Sequence, residues 1–253
     1  MKILLCLNQD IYSCYALNLL RNHFKDDQLG IYFSKRVGAK PEERSVLEQL
    51  QKIEKNISKE NIENLQNQSE EQNFSAKNFL TFEEIILKHQ ISVFDFENIN
   101  RDGYEFLKSN WQPDLIISIR FGQIFKGQII TLPKFGIINL HSGILPDYQG
   151  IMATFWAMKD KQKEIGCTLH FISDSSIDSG DIIEIHKIKA DYQKPLIANI
   201  FRLYKGGIQM IIDYLQNVKS NLPISRTKQN STQGRYFSYP TEQEIKESNL
   251  NLI

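Results

Sequence analysis

Two side chains able to activate a carbonyl group stand two residues apart, where an apolar strand meets a loop rich in glycine and proline. Asn139 and His141 lie in the run Ile137–His141. Residues i and i+2 of a strand point to the same side, so we expect both side chains to face one cavity. An amide beside an imidazole can hold a carbonyl oxygen and move a proton. The alternative is that Asn139 caps a turn and His141 is a structural histidine.

A second segment, Ser176–Ile183, can add a carboxylate to this pair. Asp178 precedes an apolar run that predicts a strand, so the turn could return its carboxylate to the cavity of Asn139 and His141. A carboxylate beside an imidazole stabilises the protonated ring and fixes its tautomer. The alternative for Asp178 is ordinary turn chemistry, which the sequence Asp-Ser-Gly-Asp also serves.

The elements that must position these groups are those of an α/β protein. The runs 3–7 and 114–119 are short and continuously apolar, which is typical of strands buried on both faces of a parallel sheet. Further predicted strands cover 29–33, 92–96, 136–141, 167–172 and 182–188, and predicted helices cover 12–24, 81–89, 102–110, 153–161 and 196–218. We therefore predict a Rossmann-like, mostly parallel sheet flanked by helices, with a short C-terminal hairpin or extension over 234–240.

Composition narrows the function classes. The 253 residues include 30 Lys+Arg and 30 Asp+Glu, and this zero net charge argues against a protein that coats nucleic acid. No GxGxxG motif or P-loop follows the first strand, which disfavours dehydrogenases and P-loop ATPases. Three scattered cysteines favour a reduced compartment. The N-terminal apolar run is too short for a signal peptide, so we expect a cytoplasmic protein without a membrane segment.

One region differs from the rest in composition. Residues 41–72 are rich in Glu, Lys, Gln and Asn and carry a single narrow apolar stripe. This pattern predicts a surface helix followed by a polar stretch around 61–73. The region is either a solvated helix and loop, or a lid or partner-binding element.

The chemical segments, taken together, resemble a known family. The spacing Asn-x-His, then Leu145-Pro146 and Gly150, and then Asp178-Ser-Gly-Asp181 is similar to that of the N10-formyltetrahydrofolate-dependent formyltransferases. The resemblance extends over about 1–190 and is densest over 113–183. It implies a formyltransferase catalytic domain over 1–190, followed by a capping helix and short extension over 191–253.

The resemblance also implies an enzyme whose catalytic residues are Asn139, His141 and Asp178. In formyl transfer an amine attacks the formyl carbon, and Asn139 and a protonated His141 would donate hydrogen bonds to the oxygen of the tetrahedral species. Either His141 or Asp178 would take the amine proton. The co-substrate would be N10-formyltetrahydrofolate, with no metal. Its pterin is expected beside the loop of Phe121, Gly122, Gln123 and Ile124.

Three branches of this family differ in the amine that they formylate. Only 35 residues follow Val218 and the net charge is zero, which disfavours the methionyl-tRNA branch with its larger C-terminal domain and basic surface. A Gly/Ser phosphate loop is missing after the first strand, which disfavours the glycinamide ribonucleotide branch. The remaining branch comprises the sugar N-formyltransferases, and the preferred substrate is dTDP-4-amino-4,6-dideoxyglucose, destined for O-antigen, lipopolysaccharide or a related surface polysaccharide. The 3-amino isomer is the alternative.

Several further residues carry expectations of their own. Asn8, Asp10 and Lys77 are expected to bind substrate, with Lys77 as a pyrophosphate contact or simply a solvated lysine. His170 is expected to be structural or to support the site residues from behind. Trp156 is expected to serve helix packing, with a stacking platform as the alternative. The expected partners are a nucleotide-linked amino sugar, folate and a second copy in a homodimer, with neither nucleic acid nor membrane. Rival readings are a binding module for folate or nucleotide sugar, and a hydrolase that releases formate.

Overall fold

The fold is described from a computed structural model, which covers residues 1–34, 45–71, 74–230 and 233–253. In these ranges the strands are β1 (Lys2–Asn8), β2 (Gln28–Ser34), β3 (Ser92–Phe94), β4 (Leu115–Ile119), β5 (Ile137–His141), β6 (Gln149–Gly150), β7 (Glu164–Phe171), β8 (Ile182–Lys189) and β9 (Tyr236–Phe237). The helices are α1 (Ile11–Leu20), α2 (Val46–Lys55), α3 (Lys59–Ser69), α4 (Phe82–His89), α5 (Asp102–Phe106), α6 (Ala153–Lys159), α7 (Leu196–Lys219) and α8 (Glu242–Ser248).

Most of the strands form one sheet in the order β3-β2-β1-β4-β5-β7-β8. The five strands from β3 to β5 in that order are parallel, whereas β7 and β8 are antiparallel to their neighbours. The chain leaves β1 toward β2 on one side and returns as β4 on the other. Such a switch point opens a crevice outside the carboxyl ends of the strands, where ligands bind in open α/β sheets. The predicted mostly parallel α/β fold is confirmed.

The central strands β1 and β4 are buried on both faces of the sheet, which explains why their sequences are continuously apolar. Ile3 and Leu5 of β1 point into a large hydrophobic cluster that contains α1 and α7. Leu4 and Cys6, which alternate with them, point into a smaller cluster around Trp111 on the opposite face. Strand β1 therefore contributes to two cores, one on each face of the sheet.

The polar segment after β2 is more ordered than its composition predicts. Helix α2 begins at Val46, and the predicted helical residues 41–44, like residues 72 and 73, lie outside the described residues. The stretch around 61–73 was expected to be polar and without an element of its own; instead, residues 59–69 form α3. Its Ile62 and Leu65 are buried against α7. Two apolar side chains make too narrow a stripe to stand out in this composition.

Of the two forms predicted for it, a hairpin or an extension, the C-terminal segment adopts the extension. Strand β9 pairs in parallel with β6, with the backbone N–H groups of Gln149 and Ile151 donating to the carbonyls of Arg235 and Phe237. Helix α8, which the sequence reading did not predict, follows with a capping box at its first turn. Its Thr-x-x-Glu signature is visible in the sequence and marks a helix start.

Other sequence-based expectations concern compartment and domain division. Within the ranges given above, no helix combines the length and the apolar character needed to cross a membrane. The three cysteines are buried free thiols, and burial raises the pKa of Cys167 to about 12. The division into 1–190 and 191–253 stays a prediction, and α7 shares one hydrophobic cluster with β1 and β5.

Candidate active site

A cavity of about 650 Å³ lies at the carboxyl ends of β1, β4 and β5. Its apolar lining comes from both faces of the sheet, because Phe121 and Phe125 pack with the smaller cluster whereas Leu50 and Ile200 belong to the larger one. The cavity therefore bends around the strand ends. Its volume lies within the range of about 300–1,000 Å³ that is usual for small-molecule sites.

Asn139, His141 and Asp178 meet in this cavity, as the strand spacing and the resemblance predicted. The Nδ1 atom of His141 lies 3.4 Å from Oδ2 of Asp178, and Nδ2 of Asn139 lies 3.5 Å from Oδ1 of the same carboxylate. The three groups come from β5 and from the loop between β7 and β8. Their convergence is a feature of the structure, and their catalytic role remains a prediction.

A fourth polar side chain, His170, joins the group. Strand β7 runs antiparallel to β5, and the register places His170 opposite Asn139 on the same face. Its Nδ1 atom lies 2.9 Å from the carbonyl oxygen of Phe171, which can only accept, so Nδ1 carries a proton. Its Nε2 atom lies 3.1 Å from Nδ2 of Asn139 and 3.4 Å from Oδ1 of Asp178. His170 thus contacts two of the predicted catalytic residues, which fits the structural or supporting role expected for it.

The Asp178 carboxylate is held in its ionised form. Burial by itself raises the pKa of Asp178, but the charge of His141, together with His170 and the backbone N–H of Gly150, lowers this pKa to about 2. The Gly150 N–H donates to Oδ2 at 2.9 Å, whereas the side-chain contacts of 3.4–3.5 Å are longer than ordinary hydrogen bonds. Long contacts of this kind often tighten when a substrate binds. The backbone therefore orients the carboxylate more firmly than its side-chain neighbours do.

His141 is oriented from its other ring nitrogen. Its Nε2 atom lies 2.6 Å from the carbonyl oxygen of Tyr148, so Nε2 carries a proton and donates. Gly143 makes this approach possible. A Cβ atom added there would lie 2.7 Å from Nε2 of His141, 2.7 Å from the Tyr148 oxygen and 2.6 Å from Cβ of Ala153.

The substitution Gly143→Ala is expected to lower the free energy of unfolding by about 1–3 kcal/mol, the usual cost of an overpacked site. The reason is that two of the three contacts are with groups that cannot rotate away, so the His141 ring must leave the Tyr148 carbonyl. Urea unfolding measures the change. Gly127→Ala is the control, because Gly127 has a positive φ of 66° but no atom within 4 Å of an added Cβ; it should show backbone strain alone. Wild-type stability in Gly143→Ala would contradict the packing described here.

A buried charge network closes the opposite end of the cavity, and the sequence reading missed it. Nε of Arg120 lies 2.6 Å from Asp10 and Nη2 lies 2.8 Å from Glu54 of α2, while the guanidinium lies 5.0 Å from the Tyr12 ring centroid. Arg120 has a φ of +53° directly after β4, which turns its side chain toward α1 and α2. Burial raises the pKa of Glu54; Arg120 opposes this shift but does not cancel it. The sequence feature that could have indicated this network is a lone arginine at the end of a buried strand, where ligand sites of open α/β sheets lie.

The predicted substrate-binding residues separate in the structure. Asn8 and Asp10 line the cavity. The carboxylate of Asp10 already has partners within the protein, because it accepts the Ser13 N–H as the cap of α1 and pairs with Arg120. Lys77 does not reach this cavity. It lies at a second cleft beside Arg21 and Lys88. Lys77 therefore has no contact with the groups around His141.

All four residues of the predicted folate loop line the cavity: Phe121, Gly122, Gln123 and Ile124. The loop is anchored from within the protein. The Gly122 N–H donates to Oγ of Ser34 at 3.0 Å, and the Gln123 amide donates to the Tyr32 hydroxyl at 2.6 Å. The Gly122 N–H is thus already paired and does not face a ligand, while the Ile124 side chain is 44% exposed.

Residues of the C-terminal extension also reach the cavity, since Tyr236 and Tyr239 are among its lining. Trp156 packs as expected, but its partner is this extension: its ring stacks on Phe237 with centroids 4.9 Å apart, and Nε1 donates to the Ser238 carbonyl. The expected homodimer stays a prediction. Among the described residues, no group of three or more His, Cys, Asp or Glu side chains is arranged to hold a metal ion.

Comparison with known proteins finds a family match that contains these site residues. Residues 93–198 match the family model described as formyl transferase. This formyl transferase segment contains Asn139, His141, His170 and Asp178 together with the loop 121–124, whereas Asp10 and Glu54 lie outside it.

Individual relatives extend the comparison. A methionyl-tRNA formyltransferase of Methylacidiphilum infernorum is 32% identical over 154 residues, which cover 59% of this chain and 46% of that protein. The chain thus matches about half the length of such relatives. Two solved structures share the fold: an N-formyltransferase from Helicobacter canadensis in complex with folinic acid and dTDP-3-aminofucose (TM-score 0.60, 21% identity, covering 94% of this chain and 71% of that chain), and a 4-N formyltransferase from Francisella tularensis (TM-score 0.59, 17% identity, covering 98% and 86%).

Proposed function

We propose that this protein is a sugar N-formyltransferase, which moves a formyl group from N10-formyltetrahydrofolate to the amine of a nucleotide-linked amino sugar. The observation that carries the proposal is the convergence of Asn139, His141 and Asp178 on a cavity at the carboxyl edge of the sheet. The formyl transferase match over 93–198 supports the same chemistry. In the proposed division, 1–190 supplies the reacting groups, and 191–253 covers them.

The reaction that these residues would support is a direct acyl transfer. The amine nitrogen bonds to the formyl carbon, the bond from that carbon to N10 breaks, and one proton passes from the amine to N10. The negative oxygen of the tetrahedral species needs hydrogen-bond donors. Asn139 has two amide hydrogens, and its 3.5 Å contact with Asp178 is the one most easily exchanged for that oxygen.

The low pKa of Asp178 indicates which of the two groups, Asp178 or His141, would transfer the proton. A group with a pKa of about 2 is a weak proton acceptor at neutral pH, because general bases work best with a pKa near the working pH. We therefore assign Asp178 to holding the ring of His141 and stabilising its protonated form. His141 is the group that would pass the proton. The carboxylate of Asp178, 3.4 Å from its Nδ1 atom, would stabilise the ring while it carries that proton.

The donor and acceptor would use different parts of the cavity. Phe121 and Phe125 offer apolar surface for a flat pterin ring on one face of the sheet. The acceptor would enter on the other face, past Asn8 and the Arg120 network. The preferred acceptor is dTDP-4-amino-4,6-dideoxyglucose, and the structural likeness to a 4-N formyltransferase supports it. The likeness to a protein complexed with dTDP-3-aminofucose supports the 3-amino isomer as second candidate.

A different acceptor is favoured by the sequence relatives, which are mostly methionyl-tRNA formyltransferases. The zero net charge of the sequence weakens that interpretation, because tRNA binding relies on contacts between basic residues and phosphates. We place the finished product of the preferred reaction in surface polysaccharide synthesis. A homodimer in the cytoplasm is part of the same proposal.

The deciding experiment supplies N10-formyltetrahydrofolate with one acceptor at a time: a dTDP-4-amino sugar, a dTDP-3-amino sugar, a UDP-4-amino sugar or methionyl-tRNA. Mass spectrometry follows the gain of one formyl group. We expect formylation of the dTDP-4-amino sugar. Formylation of methionyl-tRNA alone would overturn the sugar assignment. Formate release without any acceptor would indicate a hydrolase, and folate binding without either product would indicate a binding module.

A further inference from the structure

The turn that carries Asp178 is bonded on its outer side by the C-terminal segment. The side-chain amide nitrogen of Gln229 donates to two backbone carbonyls of this turn, to Asp178 at 2.9 Å and to Gly180 at 2.7 Å. Gln149 of β6 also donates to the Asp178 carbonyl, at 3.3 Å. These partners are 51, 49 and 29 residues distant in the chain, so tertiary structure alone brings them together.

The segment that carries Gln229 is itself fixed to the sheet. Thr227 and Ile182 exchange two backbone hydrogen bonds of 2.8 Å at the start of β8. The guanidinium of Arg226 lies 3.9 Å from the ring centroid of Phe171 at the end of β7. The backbone two residues before Gln229 is therefore anchored to β7 and β8, the strands on either side of the turn. From this anchored backbone the Gln229 side chain reaches the turn.

The turn is also packed tightly against β7 and has no space to move toward that strand. A Cβ atom added at Gly180 would lie 1.8 Å from the carbonyl oxygen of Phe171, so Gly180 is pressed against β7. Asp178 has a φ of +52°, a left-handed conformation that costs a non-glycine residue about 1–2 kcal/mol. The conformation persists because the surroundings impose it.

The carboxylate depends on this support because its side-chain contacts are long. Asp178 lies 3.4 Å from both His141 and His170 but only 2.9 Å from the backbone of Gly150. Gly150 belongs to β6, which the extension holds through β9. Residues beyond α7 thus hold the Asp178 turn from two directions, through Gln229 and through β6.

We propose that Gln229 is a positioning residue, which holds the turn so that the Asp178 carboxylate faces His141. The position needs a side-chain hydrogen-bond donor, because both acceptors are carbonyl oxygens. A glutamate of the same shape would place oxygen against oxygen. The catalytic part of this inference rests on the proposed formyl transfer, whereas the positioning itself does not.

The test compares Gln229→Glu and Gln229→Met with Gln216→Glu, an exposed glutamine on α7 that serves as matched control. The first measurement is independent of activity: imidazole ¹H–¹⁵N spectra of His141 and His170 at neutral pH, assigned with single histidine substitutions. We expect both Gln229 variants to shift these signals while Gln216→Glu leaves them in place. Urea unfolding checks that each variant is folded.

The second measurement is formyl transfer. We expect kcat to fall about 10–100-fold in both Gln229 variants, the loss typical when a group that orients a functional side chain is removed. KM for the amino sugar should change little, since Gln229 does not line the cavity. Folded Gln229 variants with wild-type spectra would overturn the positioning role. Shifted spectra in a protein whose wild type formylates no acceptor would leave that role standing and refute the proposed function instead.

Discussion

The variant His141→Gln is expected to turn over about 10²–10⁴-fold more slowly than the wild type, the range typical for loss of a general acid–base group. Glutamine preserves much of the volume and a donor for the Tyr148 carbonyl, which lies 2.6 Å from the imidazole. It cannot exchange a proton at neutral pH, and it removes the cationic partner of Asp178. The loss should appear in kcat because the proton moves only as the transition state forms.

The measurement is steady-state formyl transfer with saturating donor and acceptor, which gives kcat. His23→Gln is the matched control, since His23 is exposed and distant from the cavity lining, and it should retain wild-type turnover. Asn139→Ala should show a smaller but still large loss, because one oxyanion donor contributes about 2.7–4 kcal/mol. Near-normal turnover in folded His141→Gln would remove His141 from the reaction.

The second large effect concerns stability. Arg120→Met is expected to lower the free energy of unfolding at pH 7 by about 3–5 kcal/mol, because removing one partner of a buried ion pair leaves the other charges uncompensated. The side chain of Asp10 is 1% exposed and that of Glu54 is 15% exposed. In the wild type both carboxylates pair with the single guanidinium of Arg120. The cost should depend on both carboxylates.

The pH dependence of this cost has a definite sign. The pKa of Glu54 is already raised with Arg120 present, and in the variant the folded state would bind a proton at Glu54 more readily than the unfolded state does. Stability then increases as pH falls, since the folded state holds the extra proton. The deficit of Arg120→Met should therefore be largest at neutral pH and shrink toward pH 5.

Urea unfolding at both pH values measures the effect. The exposed Arg101→Met is the control and should change stability by no more than about 0.5 kcal/mol. The double variant Arg120→Met/Glu54→Gln should recover part of the loss, because one of the two unpaired charges is gone. If Arg120→Met unfolds like the wild type at pH 7, the buried network is not a source of stability.

The sequence was most informative where one strand decides the geometry. Asn139 and His141 share a face because they are two residues apart on β5, and no knowledge of other elements is needed. The continuous apolar runs of β1 and β4 likewise indicated a sheet buried on both faces. For Asp178 the residues alone left two roles open, a carboxylate in the cavity or ordinary turn chemistry, and the family resemblance favoured the first because a turn residue has no periodicity to follow.

The sequence was uninformative where a contact depends on tertiary register or on an unusual backbone conformation. His170 reaches Asn139 because β7 pairs with β5 in an antiparallel register, which the pattern within β7 does not reveal. Arg120 turns toward α2 through its positive φ. Likewise, β9 is only two residues long, and its partner is distant in the chain.

The bend of the cavity around the strand ends has a consequence for how two molecules can meet. A ring seated among Phe121 and Phe125 approaches His141 from one face of the sheet, whereas a molecule passing Leu50 and Ile200 approaches from the other. Neither has to leave before its counterpart enters. Such an arrangement favours hand-over within a ternary complex over a covalent relay, and it suits bisubstrate inhibitors whose linker is short and bent.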